Sequence, residues 1–221
     1  MTLFTLNVVV KGTPARSHPF YHIEGLKSAV FLTFDVLWQK EPLEELLEFL
    51  EKRKIKAIFF VTGEWLKKNY PEGQKILSKG HQLGNHTFSH RKLLYMAEEE
   101  IEEEIKKFNM LCQNLFGFYP TFFRPPYGEY NMRIVRIASE QDLWTLLWSI
   151  NLKTLSERES SLIISHLEES LHHGAILLCH TSSPQIMQIL PEIIDFIEWK
   201  GYTIETPYTL QKYLEKRFPL P

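Results

Sequence analysis

Cysteine is nearly absent from this chain: Cys112 and Cys179 are the two among 221 residues. Two thiols build neither a disulfide framework nor a cysteine-rich zinc site. Both fall in apolar periodic runs, the usual setting of buried free thiols. An excess of positive charge is missing too. The 25 Lys and Arg against 27 Asp and Glu leave a formal net charge of −2, which argues against a general nucleic-acid binder. No stretch is long and apolar enough to span a membrane. Met1–Val10 is apolar but has no basic lead-in and no small-residue cleavage site, so no signal peptide is expected and the chain reads as soluble. No repeat, low-complexity tract or linker divides it. What remains is the length and ordinary apolar content of one sizeable α/β domain.

The order of elements follows from apolar spacing. A first strand is expected at Leu3–Val10, then a loop to His22 carrying Gly12, Pro14 and Pro19. Ser28–Val36 is a β-type run that closes on Asp35. Pro42 opens a helix with the stripe Leu43, Leu46, Leu47 and Leu50. Lys56–Thr62 is a buried-type strand, followed by helix to Ser78 with a break near Pro71. A strand around His81–Gly84 comes next. From Glu98 a helix presents Ile101, Ile105, Phe108, Cys112 and Leu115 on one face, and Gly117 closes it. Its charged run to Lys107 reads as the solvated side, with Glu102–Lys106 and Glu103–Lys107 as i,i+4 pairs. Further strands are expected at Thr121–Phe123, Leu143–Ile150, Ala175–Cys179 and Tyr202–Glu205. Helices are expected near 131–141, 156–172, 191–200 and 209–217. Strand alternating with helix implies a parallel sheet or (β/α) barrel, here with about seven strands. Residues 1–27 read as an N-terminal extension and 28–221 as a single domain.

Chemistry concentrates at four places. His86 and His90 stand four residues apart behind Gly84 and Asn85, and a His-x3-His pair can close on one zinc-like ion. Such a pair is also common as surface or supporting residues. Asp35, Arg124 and His180 each close an apolar run. Singly, Asp35 could cap a helix, Arg124 could be an ordinary ion-pair partner and His180 a satisfied core histidine. Together they fall at strand ends, and in a parallel barrel the C-terminal strand ends open on one face. His81 reads as structural, and His166, His172 and His173 as exposed. The set fits metal-assisted amide hydrolysis: an ion on the two histidines, Asp35 as base, Arg124 keeping Asp35 ionised, His180 as acid. Replacing Arg124 by Ala is expected to lower turnover without unfolding the chain.

Four motifs in order, Thr33-Phe34-Asp35, His86-Thr-Phe-Ser-His90, Arg124-Pro-Pro-Tyr127 and Leu178-Cys-His180, resemble those of the NodB-homology polysaccharide deacetylases, carbohydrate esterase family 4. The resemblance covers roughly residues 28–212 and is nearest the sporulation-associated branch. It implies a distorted (β/α) barrel, a divalent metal such as zinc, and removal of acetyl from an N-acetylated glycan of chitin or peptidoglycan type. It implies Asp35 as catalytic base, His180 as catalytic acid, and His86 and His90 as metal ligands. Pro125, Tyr127 and Trp148 would face the substrate, with a backbone oxyanion donor near Tyr127. A cell-surface or spore-associated role is implied in the same way.

Two departures from the family pattern stand out. Val36 stands where a second aspartate, the third metal ligand, is usual, so metal is expected to bind weakly or not at all, and Val36→Asp to strengthen it. Thr154 and Leu155 stand where an Asp-Trp pair usually tunes the acid. Two alternatives therefore stay beside the deacetylase reading: a carbohydrate-binding protein of little turnover on the same scaffold, and a hydrolase of another C–N bond.

Overall fold

The computed structural model describes residues 16–36, 43–152, 160–181 and 186–219. The strand expected at Leu3–Val10, Pro42, and Thr154 with Leu155 lie outside them. The elements alternate as expected: β1 (Ala29–Val36), α1 (Leu43–Lys52), β2 (Ile58–Val61), α2 (Gly63–Lys68), α3 (Tyr70–Ser78), β3 (Gln82–Asn85), α4 (Glu98–Phe116), β4 (Phe122–Phe123), α5 (Met132–Glu140), β5 (Trp144–Thr145), β6 (Ile150–Asn151), α6 (Ser160–Ser170), β7 (Ala175–His180), α7 (Ile186–Trp199), β8 (Thr203–Ile204) and α8 (Pro207–Arg217).

Seven strands run in the order β5-β4-β3-β2-β1-β7-β6, and β8 pairs with the first two residues of β1. Every pairing in this sheet is parallel. This is the expected distorted (β/α) barrel. Its two end strands, β5 and β6, follow each other in the chain without pairing. Phe20, ahead of β1, bridges to Leu146 beside β5, and His22 bridges to Ala175 of β7.

β1 is buried along all eight residues, as a central parallel strand must be. Its alternation divides the two faces. Val30, Leu32, Phe34 and Val36 pack in one cluster with Leu46, Leu47 and Leu50 of α1 and Ile193, Ile194 and Ile197 of α7. Phe31 joins Ile58, Phe60, Trp144 and Ile176 in another cluster. Thr33 and Asp35, on the same side of the strand as Phe31, are the polar residues of that interior face.

Two expectations change. The strand expected at Leu143–Ile150 is two short strands, because the carbonyls of Leu146 and Leu147 bond to the Arg124 guanidinium instead of a neighbouring strand. The helix expected to open at Pro191 begins by Ile186 and carries Pro191 inside it. An interior proline costs a helix about 3 kcal/mol. The fully buried Leu190, Ile193, Ile194 and Ile197 supply apolar burial that offsets it.

Candidate active site

Parallel strands bring the sequence candidates to one rim. Asp35 sits in the last turn of pleat of β1, and its register partner on β7 is His180. His86 follows β3 directly, and its amide bonds to Val61 at the end of β2. Arg124 follows β4, with its amide on the carbonyl of Asn85. Distant chain segments meet at the side chains: Arg124 Nη1, 89 residues along from Asp35, donates to Asp35 Oδ1 at 2.8 Å, and Asp35 Oδ2 lies 3.8 Å from His86 Nε2.

Arg124 is fully buried. Besides Asp35, it donates from Nη2 to Thr33 Oγ1 (2.9 Å) and the Leu147 carbonyl (3.0 Å), and from Nε to the Leu146 carbonyl (3.1 Å). Its guanidinium lies 4.1 Å over the Phe60 ring, and Gly84 lets that ring sit where it does. A Cβ on Gly84 would meet Phe60 at 2.5 Å. Burial pushes the Asp35 carboxyl up, but Arg124, with His86 and His180 adding, outweighs it and holds the group below the ordinary carboxylate range. Asp35 is therefore an ionised, aimed acceptor. Arg124 is no surface ion-pair partner, and its burial means that removing it is expected to lower stability as well as turnover.

His86 is buried and its Nδ1 bonds to the Arg124 carbonyl at 2.7 Å. A carbonyl only accepts, so the proton is on Nδ1 and Nε2 carries a lone pair. Burial lowers the pKa of His86 against the opposing pull of Asp35. The half-buried His90 is lowered to about 4 by burial and by His86, with Asp35 opposing and His180 adding. Both rings are neutral at pH 7. Their Nε2 atoms are 3.2 Å apart. Two zinc ligands at 2.0–2.1 Å in tetrahedral geometry would be about 3.3 Å apart, so the pair fits as two ligands of one ion. The backbone carbonyl on Nδ1 is the support that metal-bound histidines usually have.

The rest of a ligand set does not follow. Among the described residues no group of three or more His, Cys, Asp or Glu could hold a metal ion. Val36 is fully buried and packs with the helix-side cluster. Asp35 keeps one oxygen on Arg124. The donors are one short of the three protein ligands of a catalytic zinc.

The third stretch forms the wall. Pro125 is buried and its carbonyl accepts from Gly128 in a tight turn. Tyr127 is 56% exposed at φ 63°, with its ring 4.7 Å from that of His90. Trp148 is half-buried, 5.5 Å from the Arg124 guanidinium, and a Cβ on Gly128 would meet it at 2.5 Å. His81 is structural: buried, it accepts the Ala57 amide on Nδ1. His166 and His173 are exposed.

One residue went unread in the sequence. Glu104, placed with the solvated run of α4, is buried and accepts from the amides of Phe88 and Ser89 and the Ser89 hydroxyl. The signal was its position. Glu104 follows Ile101 by three and precedes Phe108 by four, which puts it on the apolar stripe. Asn109 shares that stripe and bonds to Asn85.

Residues 22–145 match the family model for polysaccharide deacetylase. The chain is 30% identical over 188 residues to the uncharacterized protein YlxY of Bacillus subtilis, covering 85% of this chain and 59% of that protein. It is 30% identical over 196 residues to a Bacillus cereus peptidoglycan-N-acetylglucosamine deacetylase, covering 86% and 71%. Among solved structures it is similar to a family 4 carbohydrate esterase pseudoenzyme from Bacillus anthracis, with TM-score 0.82, 27% identity and coverage of 88% and 69%. A mutant of that pseudoenzyme has restored enzymatic activity.

Proposed function

This chain belongs to the polysaccharide deacetylase family, and from that premise we propose that it hydrolyses the N-acetyl amide of a carbohydrate polymer, of peptidoglycan or chitin type, and releases acetate. The observation that carries the reading is the buried Asp35–Arg124 pair set beside three histidines on one barrel rim. Asp35 takes the proton of the attacking water, and Arg124 keeps that carboxylate charged and fixed. His180, on the neighbouring strand, protonates the departing amine as the carbon–nitrogen bond breaks. The exposed Tyr127 ring and Trp148 offer apolar faces to the sugar, and Pro125 shapes the turn that presents Tyr127. A divalent ion of the zinc type, when bound, polarises an acyl oxygen and acidifies a water. His86 and His90 would hold it, weakly, for want of a third donor.

A second reading, glycan binding with little turnover, is favoured by one observation: the buried valine at position 36 in place of a ligand. Acetate release from chito-oligosaccharides and peptidoglycan fragments, measured with excess zinc and with chelator alongside glycan-binding calorimetry, separates the two. Zinc-dependent acetate release that Asp35→Asn abolishes supports the deacetylase. Binding without acetate supports the second reading, and neither binding nor release sinks both.

A further inference from the structure

The loop that carries the two histidines is held in an unfavourable backbone shape. Thr87 (φ 65°) and His90 (φ 59°) are both left-handed without being glycine. Such residues persist only where their surroundings over-determine them. Here the surroundings are polar and come from three elements. The carbonyls of Thr87 and Phe88 accept from Gly63 and Glu64 at the start of α2. Each amide from Thr87 to His90 ends on a side chain. Thr87 donates to Asn85 Oδ1 (2.8 Å), Phe88 and Ser89 to Glu104 Oε2 (3.1 and 2.8 Å), and His90 to Thr87 Oγ1 (3.0 Å). The Ser89 hydroxyl donates to the other Glu104 oxygen at 2.7 Å. Half of the loop's amides thus depend on one buried carboxylate from α4, 15 and 16 residues further along the chain.

We propose that Glu104 is a positioning residue for the histidine pair: it fixes the backbone of residues 87–90, and through it the placement of the His90 ring against His86 and Tyr127. A carboxylate suits the task because its two oxygens can accept several N–H and O–H donors at once. The inference rests on the reading of His86 and His90 as working residues, and the test separates the two.

The full chain is compared with Glu104→Ala, Glu104→Gln and a control, Ile101→Val, which trims the same buried helix face at a residue that clusters with Leu93 and Met96. Backbone amide exchange is read at residues 86–90, and binding of zinc alone by calorimetry. Glu104→Ala is expected to speed exchange at Phe88, Ser89 and His90 by about tenfold or more, while the strands keep the parent rates. It is expected to weaken zinc by about 10–100-fold, the usual effect of losing a supporting partner of a metal ligand. Glu104→Gln, which keeps an acceptor for both amides, is expected to restore most of each. Parent-like exchange at 88–90 in Glu104→Ala overturns the proposal. So does equal acceleration in Ile101→Val, or faster exchange with zinc affinity unchanged. A parent that binds no zinc counts against the metal reading of the proposed function, and the exchange data then decide on Glu104 by themselves.

Discussion

Arg124→Ala tests the centre of the site. In the parent the guanidinium is inaccessible to solvent and makes four hydrogen bonds, one to Asp35, one to Thr33 and two to backbone carbonyls. Truncation leaves a buried carboxylate without its counter-charge and two carbonyls without donors. Breaking a buried pair from one side typically costs about 3–5 kcal/mol. In a chain of this length each kcal/mol moves the melting point by about 2–4 °C, so the expected loss is roughly 6–20 °C at pH 7. The loss should depend on pH. In the parent, the lowered Asp35 pKa contributes stability present above the unfolded carboxylate pKa and lost as pH falls through the folded one. In the variant, burial acts unopposed by Arg124, so Asp35 takes up a proton more readily than in the unfolded chain. Its contribution is then favourable at acid pH and disappears as pH rises. The gap between the two proteins should narrow from pH 7 toward pH 4. Thermal melts by circular dichroism across that range measure it. A variant melting within about 2 °C of the parent at pH 7, or a gap that does not change with pH, would refute the argument that Arg124 neutralises Asp35.

Val36→Asp puts a carboxylate into a fully buried apolar cluster. Without zinc it should melt below the parent, and added zinc should raise its melting point more than the parent's, because binding to the native state alone stabilises it; absence of any zinc-dependent shift argues against position 36 as a ligand site. Gly128→Ala forces a Cβ onto a residue at φ 69° and to 2.5 Å from Trp148. It should cost about 1–2 kcal/mol and weaken oligosaccharide binding in calorimetry, whereas unchanged binding would remove Trp148 from the proposed glycan wall. His81, lowered to about 4 chiefly by burial and secondarily by Lys56 and Lys79, contributes stability present above pH about 6.5 and lost as pH falls toward 4. His81→Phe should flatten the acid limb of the stability profile between those values, and an unchanged limb in chemical denaturation would assign it elsewhere.

Much of this protein could be read from residue order alone, for a local reason. Near-continuous apolar runs such as Ala29–Phe34 and period-3.6 stripes such as Ile101, Ile105, Phe108 and Cys112 reflect what is buried, and burial dominates the choice of element. Parallel strands send every strand end to one rim, so Asp35, His86, Arg124 and His180 could be grouped without knowing a distance. Tertiary structure decided what depends on partners far along the chain. Leu143–Ile150 has the composition of one strand, but Arg124 takes its carbonyls. Pro191 has the look of a helix start, but burial of its neighbours carries the helix through it. Glu104 lies in a run that reads as solvated, and Arg124 taken singly reads as an ordinary ion-pair partner; the fold places both in the interior, because each meets a set of hydrogen-bond partners that no local pattern records. Which side of β1 Val36 packs on, and hence how it would receive a carboxylate, follows from the strand's alternation only once the helix-side and interior faces are known.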